Sequence, residues 1–523
     1  MNAVAERALA ARSESVNESV TSAERRRVVR ISAALFVVTF LAYWLLGPFT
    51  TAYDFQLSQA NNLIHGHLDM TAEYTRNLNV LERVLFDGEG FCIPAEDPRG
   101  PGPTSEIENP RITADCRTYM QHSLGPALLL VPLVALLGLS VSQVVVSALV
   151  GAATAVVVYA IARHFTSDTR AQLALTALAI FGTQFFYSAP DGSVWHFAHT
   201  TAVFFLFGAI YATVVMRSPL LAGALVGAAF MCRPTTILAG LFTIVAFSDT
   251  WLVHRPGQSL LQRLRLRPLF ELALGVAPFL VLTLTLNALR FGNPFESGYA
   301  FSEQVHQVGL RHVYEHGIFD IGYISRHIPV FWEQMPIFSS EAPFIRPSWA
   351  GLAVWATSPA LLIGLFVHLR HSASVARLIA LALVLGGGLM LVIAAARGWG
   401  LASWTISDVP MGIHLWPFLL TIGLAVGMAI VLRDRLVVAC WATIIPIIVV
   451  NWTFAATGWA QFGYRYSLDF MPFLVLLVMI AMPRVRTWHL ALIVGSVLVN
   501  LWGVLWIFKF APAELFGWTW VSY

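Results

Sequence analysis

The stretch VVRISAALFVVTFLAYWLLGP, residues 28–48, is the first long apolar run of the chain and directly follows Arg25, Arg26 and Arg27. About 20 such residues in a helix cross the roughly 30 Å hydrocarbon core of a bilayer. The run is too long for the apolar part of a signal peptide and lacks an A-x-A-like exit, so we expect a retained anchor. Because arginines mark the cytoplasmic end of a span, the chain is predicted to cross outward here.

The rest of the chain repeats this pattern. Of its 523 residues, 57% are hydrophobic and 12% are charged, which is about half the charged share of an ordinary soluble domain. The composition predicts an all-α polytopic membrane protein. The net charge of +3 comes from arginines in short clusters, since Lys509 is the single lysine, and this pattern gives no support to a nucleic-acid partner.

The arginine clusters orient each apolar run. They predict a disordered cytoplasmic tail over residues 1–27, a single transmembrane domain over 28–523 in the cell (inner or plasma) membrane, and a C-terminus on the outer side. The two long outer loops are residues 50–123 and 290–349. The 13 predicted spans are 28–48, 141–162, 171–188, 197–216, 220–232, 237–247, 272–289, 350–368, 378–396, 411–432, 436–456, 471–482 and 488–510.

The apolar segment 124–139 has no membrane crossing to make when the spans are assigned in this way. The segment is short and contains Pro126 and Pro132, which suits a re-entrant or interfacial helix on the outer leaflet. In the loop before it, Cys92 and Cys116 either form a disulfide or remain free thiols. A disulfide would agree with an oxidising compartment outside the cell.

The outer loops contain the candidate site residues. Asp54, just past the first span, is the best candidate for a general base, and its alternative role is to cap a helix. Asp191, His196 and His199 lie in one short outer turn. The two histidines share a helix face, where they either bind a phosphate or a catalytic acid, or donate to backbone carbonyls at the interface.

Two arginines offer planar donors for a lipid phosphate. Arg233 interrupts an apolar hairpin, and Arg465 lies between Tyr464 and Tyr466, whose rings suit a sugar. Each arginine could instead be a snorkelling anchor. Two other patterns carry little weight: His312, Glu315 and His316 fit a zinc-protease spacing without a third ligand, and the glycines 386–388 indicate close helix packing rather than a phosphate loop.

Several strings resemble the GT-C class of membrane glycosyltransferases, in particular bacterial members of the mannosyltransferase-like family 39 group. NNLIHGHLDM at residues 61–70 is similar to an element of their first outer loop, and HSLGPALLL at 122–130 resembles their entry into an interfacial helix. The remaining strings that resemble the group are WHFAH at 195–199, RPT at 233–235, FGNPFESGY at 291–299 and QFGYRY at 461–466.

The resemblance implies a GT-C-like bundle and a polyprenyl-phosphate sugar donor bound from the outer leaflet of the membrane. The acceptor would be a hydroxyl of a glycan, lipid or protein. Asp54 matches the family's first-loop base and Asp191 is nearest to its second acid; His196, His199, Arg233, Tyr464 and Arg465 would bind the donor. Asp54 is followed by Phe55 rather than by a second acid, so no metal ligand is assigned and dependence on a divalent cation stays open.

Two other classes of function compete with this one. A transporter or flippase for a lipid-linked glycan predicts ionisable residues in the middle of spans or a paired repeat. A non-catalytic envelope-assembly protein predicts that the outer acids and arginines do not converge.

Overall fold

The computed structural model describes residues 2–77, 82–97, 107, 110–252, 264–338, 340, 344–348, 350–365, 434–458 and 461–510, with the backbone alone for 2–22. Helices dominate. In chain order they are α1 (Asn2–Leu46), α2 (Phe55–Ile64), α3 (Gly125–Leu137), α4 (Gln143–Phe165), α5 (Thr169–Phe181), α6 (Phe185–Asp191), α7 (Val194–Val214), α8 (Pro219–Cys232), α9 (Gly240–Ala246), α10 (Ser248–Trp251), α11 (Arg267–Phe291), α12 (Glu303–His306), α13 (Ile324–Ile328), α14 (Val354–Thr357), α15 (Leu362–Leu365), α16 (Arg435–Trp452), α17 (Met471–Ala481) and α18 (Thr487–Leu505).

Short 3-10 and π turns connect or extend these helices. The 3-10 turns are Gly138–Ser140, Pro234–Ala239, Tyr299–Phe301, Val308–Leu310, Ile321–Tyr323, Pro359–Leu361 and Arg465–Asp469, and the π turns are Pro329–Glu333 and Trp506–Phe510. The predicted tail, residues 1–27, coincides with the first part of α1, which is helical from Asn2 although the sequence favoured disorder.

Six helices of the described residues are long and apolar enough to cross a membrane. This agrees with a helical, multi-pass membrane protein. Each contains an apolar stretch of at least 18 residues, close to the length that a bilayer requires. They are Ala23–Leu46, Gln143–Phe165, Val194–Val214, Arg267–Phe291, Arg435–Trp452 and Thr487–Lys509.

The other predicted spans are shorter helices or lie partly beyond the described residues. Pro219–Cys232, Pro234–Ala246 and Met471–Ala481 are apolar helices at the places of three predicted spans. The predicted span 350–368 is described only to residue 365, where it consists of short helical pieces. The predicted spans 378–396 and 411–432 and the glycines 386–388 lie outside the described residues, so the number 13 stays a prediction.

The predicted span 171–188 is broken rather than continuous. Its two parts, α5 and α6, are bent by 59° relative to each other, and together they could form a seventh crossing. The first part ends at Gly182, whose N–H still reaches the carbonyls of Ala177 and Leu178. The change of direction falls at residues 182–184, which are not helical and separate the two parts.

The segment predicted to be interfacial is α3 and the 3-10 turn after it, Gly125–Ser140 together. At 13 residues, α3 is shorter than the roughly 20 residues that a perpendicular crossing needs. It begins against the end of α8, because a side-chain carbon added at Gly125 would lie 2.5 Å from the carbonyl carbon of Met231. Only glycine permits this approach.

Six short strands make the outer loops a mixed structure rather than plain coil. Strands β1 (Arg83–Phe86) and β4 (Arg117–Met120) pair antiparallel, and β2 (Ile93–Pro94) pairs parallel with β3 (Ile112–Thr113). In the second loop, β5 (Ile337–Phe338) pairs antiparallel with β6 (Ile345–Arg346). The disulfide between Cys92 and Cys116 is present, which confirms the bridged alternative.

The two outer loops are joined through Arg83. Its side chain is fully buried and pairs with Asp97 of its own loop at 2.8 Å and with Glu303 of the second loop at 3.2 Å. A backbone bridge between Val84 and Ser302 adds to this contact. We call this pair of loops, residues 82–97 and 110–124 with 290–324, the outer module.

Candidate functional site

A buried carboxylate, Asp469, lies at the centre of the polar residues that the membrane helices enclose. It ends the 3-10 turn before α17 and has no exposed surface. Arg233, at the end of α8, donates from Nε and Nη2 to its two oxygens at 3.2 and 3.1 Å. The Thr235 hydroxyl and the Asn451 amide also donate to Asp469, at 2.7 and 3.3 Å.

His199 reaches the same carboxylate from α7. Its Nδ1 lies 3.2 Å from Oδ1 of Asp469, and its ring is buried. Burial raises the pKa of Asp469, but Arg233 and His199 outweigh it and hold that pKa below its usual value. The structure therefore brings two of the predicted residues, His199 and Arg233, together on an acid, and the positive charge of Arg233 is compensated inside the protein.

Arg465, unlike Arg233, pairs with no acid among the described residues. Both its guanidinium and that of Arg233 lie over the Tyr466 ring, at 5.5 and 5.4 Å from the ring centre. Its backbone N–H donates to Gln461, and its Nε is buried without a hydrogen-bond partner. No carboxylate of the described part of the chain pairs with Arg465.

Glu82 lies at the inner edge of the outer module, close to the arginine. The Trp195 indole donates to its Oε2 at 3.2 Å, His122 Nε2 lies 2.9 Å from the same oxygen, and Gln304 donates to Oε1 at 3.0 Å. Burial raises the pKa of Glu82, yet His122, Trp195 and the charge of Arg465 together lower it. Glu82 and Arg465 thus interact electrostatically, although no direct ion pair joins these two described residues.

Asp54 is buried at the start of α2 and does not cap that helix. Its Oδ2 accepts a hydrogen bond from Arg76 at 2.9 Å, and the same guanidinium donates to the Leu139 carbonyl. The other oxygen, Oδ1, has no partner in the described part of the chain. The capping alternative therefore fails, whereas one carboxylate oxygen remains able to accept a proton.

Asp191 and Asp54 lie close to one contact between two distant parts of the backbone. The Val194 N–H donates to the Tyr53 carbonyl at 2.8 Å, which places the residue after Tyr53 near the turn that contains Asp191. Asp191 itself accepts from the Ser193 N–H at 2.8 Å and so supports the start of α7.

His196 and Tyr464 contact residues other than Asp469. His196 Nδ1 lies 3.2 Å from the Ser188 hydroxyl, and its ring contacts Tyr187. Tyr464 is 1% exposed, and its hydroxyl lies 2.9 Å from Nδ1 of His327.

The sequence patterns did not single out Glu82 or His327, and they included His122 only as the first residue of the string at 122–130. For Asp469 there was a signal, since an acid two residues before an apolar run requires a partner in the membrane. The partner, Arg233, is 236 residues away in the chain. Its pairing could be seen only after folding.

One cavity, of about 480 Å³, lies in the outer module. None of the predicted site residues lines it. In the same module Glu315 of the zinc-like spacing pairs with Arg326 at 2.7 Å. The described residues contain no group of three or more side chains that could hold a metal ion.

Comparison with known proteins gives this chain no relative. No family model matches it, and neither a curated protein nor a solved structure matches it. Its function must therefore be argued from the residues themselves.

Proposed function

We propose that this chain is a membrane glycosyltransferase of the GT-C type with about 13 spans. It would transfer a sugar from a polyprenyl-phosphate donor to a hydroxyl of a glycan, lipid or protein acceptor. The N-terminus would lie in the cytoplasm, and the reaction would take place on the outer side of the cell membrane.

The observation that carries the proposal is the contrast between the two arginines. Arg233 has its charge compensated by Asp469, whereas Arg465 has no acid partner among the described residues. A half-buried arginine near apolar helices is unfavourable unless an anion or water satisfies it. A lipid phosphate fits this position, because its oxygens match the planar donors of a guanidinium.

The chemistry requires a base, an anion-binding group and a place for the sugar. The acceptor oxygen would attack the anomeric carbon of the donor while its proton moves to Oδ1 of Asp54. The bond from that carbon to the phosphate oxygen would break, and Arg465 would stabilise the released lipid phosphate. A single displacement of this kind inverts the anomeric centre. Asp191 would serve as the second acid beside Asp54.

The direct test is to incubate the purified protein with a panel of polyprenyl-phosphate sugars and to measure the release of lipid phosphate. Loss of a general base typically lowers a rate by about 100-fold or more, which is the effect expected for Asp54→Asn. Asp69→Asn is the matched control, since Asp69 lies in the same loop but is partly exposed beside His67. It should retain nearly full activity.

Two results would contradict the proposal. Sugar transfer at the wild-type rate by Asp54→Asn would remove that residue from the reaction. Movement of the lipid-linked sugar across proteoliposome membranes without any release of lipid phosphate would identify a flippase instead.

A further inference from the structure

Glu82 has an unused capacity to accept a hydrogen bond. An ionised carboxylate offers about four lone-pair positions on two oxygens. His122 and Trp195 both face Oε2, so they occupy that oxygen, whereas among the described residues Oε1 receives the amide of Gln304 alone. One position on Oε1 therefore remains, and the side chain is 20% exposed.

The three partners also fix the direction of this carboxylate. His122 precedes α3, Trp195 is in α7 and Gln304 belongs to the second outer loop, so three separate parts of the chain hold Glu82. A group that is held from three sides cannot turn to follow a ligand. It can discriminate between ligands, because the ligand must bring its own donor to the fixed oxygen.

Aromatic rings surround the region between Glu82 and Arg465. Trp195 packs against Tyr53 with ring centres 4.9 Å apart, and Tyr466 lies below the Arg465 guanidinium. Tyr314 donates from its hydroxyl to Gln304 at 3.4 Å. These rings provide apolar faces next to polar groups, as the alternating C–H and O–H surfaces of a sugar require.

We propose that Glu82 accepts a hydrogen bond from one hydroxyl group of the donor sugar and thereby selects which sugar is transferred. This inference rests on the proposed function, in which Arg465 binds the phosphate of the same donor. The sugar would lie between the two groups, with its phosphate toward Arg465 and one hydroxyl toward Oε1 of Glu82. Glu82 is then a specificity-determining residue, and Asp54 keeps the role of base.

The test compares the binding of two kinds of lipid to the purified full-length protein in detergent. One is bare polyprenyl phosphate, and the others are its mannosyl, glucosyl and arabinosyl esters. A hydrogen bond to a charged group contributes enough for roughly a tenfold change in Kd. Glu82→Gln should weaken binding of the preferred sugar ester about tenfold relative to the bare lipid phosphate, which should bind no more weakly than before because the variant removes a negative charge near Arg465.

Three comparisons separate this effect from a general disturbance of the loops. Arg465→Gln should weaken both kinds of lipid. Glu89→Gln, which alters an exposed carboxylate of the same module that pairs with Arg111, should leave the ratio of the two Kd values unchanged. In a series of donors that each lack one sugar hydroxyl, the donor without the hydroxyl that contacts Glu82 should bind the wild type as weakly as the complete donor binds the Glu82→Gln variant. The Glu82→Gln variant should bind this deoxy donor no more weakly than it binds the complete donor.

The results that would overturn the role of Glu82 differ from those that would overturn the proposed function. Equal weakening of both lipids by Glu82→Gln, or no weakening at all, would overturn the role of Glu82 and leave the glycosyltransferase proposal intact. If the wild type binds neither bare lipid phosphate nor any of the esters, the proposed function fails and this inference fails with it.

Discussion

At the scale of single residues, the two arginines over the Tyr466 ring differ in their partners rather than in their positions. Arg233 and Asp469 form an ion pair in which the aspartate side chain is fully buried and the arginine side chain is 22% exposed. Such a pair contributes little net stability when it is intact, but the removal of one partner leaves an uncompensated charge in an apolar surrounding. The surplus cation at this site is therefore Arg465 alone.

Removal of the acid should be strongly destabilising. We expect Asp469→Asn to lower the free energy of unfolding by about 3 kcal/mol, because Arg233 and His199 lose the charge they face. The measurement is denaturant unfolding of the purified protein in detergent. Asp434→Asn is the matched control: Asp434 also precedes a helix, but it caps α16, and asparagine caps a helix equally well. Equal losses in both variants would contradict this account.

The pH dependence of stability should contain a contribution from Glu82. Its folded pKa is lowered, so the stabilisation by the charged form is present above the unfolded pKa of about 4.3 and is lost as the pH falls through the folded pKa. The difference in melting temperature between wild type and Glu82→Gln should therefore be largest above about pH 4.3 and shrink below it. Melting curves between pH 3 and 6 measure this difference.

A surface acid provides the comparison for that experiment. Glu89 is 75% exposed and pairs with Arg111, and exposed pairs contribute little to stability. Glu89→Gln should leave the melting temperature unchanged at every pH. The difference in melting temperature from wild type should shrink with falling pH for Glu82→Gln only. An equally large change of this difference for Glu89→Gln would contradict a specific role of the Glu82 contacts.

At the scale of elements, apolar length predicted the long helices well and the polar contacts poorly. Helices such as α4 and α7 follow from the need to satisfy every backbone group inside a bilayer. The bend between α5 and α6 was missed because the apolar pattern continues across Gly182. His199 and Arg233 could be selected as polar residues in apolar runs. Their shared partner, Asp469, could be recognised as an acid beside an apolar run, but its pairing with them depends on packing between distant helices.

The disulfide should stabilise the outer module as an element. It closes a loop with a sequence separation of 24 residues, which by chain entropy corresponds to about 3 kcal/mol. We expect the double variant Cys92→Ala, Cys116→Ala to be cleaved faster by protease within residues 82–120, as followed by mass spectrometry. The variant Cys232→Ala, which alters a buried thiol of α8, should show the wild-type cleavage rate in that region. An unchanged cleavage rate in the double variant would mean that the β1–β4 pairing and the Arg83 ion pairs hold the outer module together without the disulfide.

At the scale of the whole molecule, the outer module contacts the start of a long apolar helix through Glu82. Arg83 fastens the two outer loops together, and Glu82, the residue before it, contacts Trp195 at the start of α7. A movement of the module would therefore shift Glu82 relative to Arg465. The two loops are far apart in the chain, yet a change in either one would reach Glu82 through Arg83 and Gln304.

The orientation of the molecule can be tested with a membrane-impermeant maleimide on intact cells. Ser167 and Ser297 are both exposed, and the arginine pattern predicts that Ser167 lies inside and Ser297 outside. The native background should be low, because Cys92 and Cys116 are bonded to each other and the other two cysteines are buried. We expect the variant Ser297→Cys to be labelled and Ser167→Cys to react only after the membrane is permeabilised. Labelling of Ser167→Cys in intact cells would place Asp54 and Arg465 on the cytoplasmic side, where the proposed donor orientation could not hold.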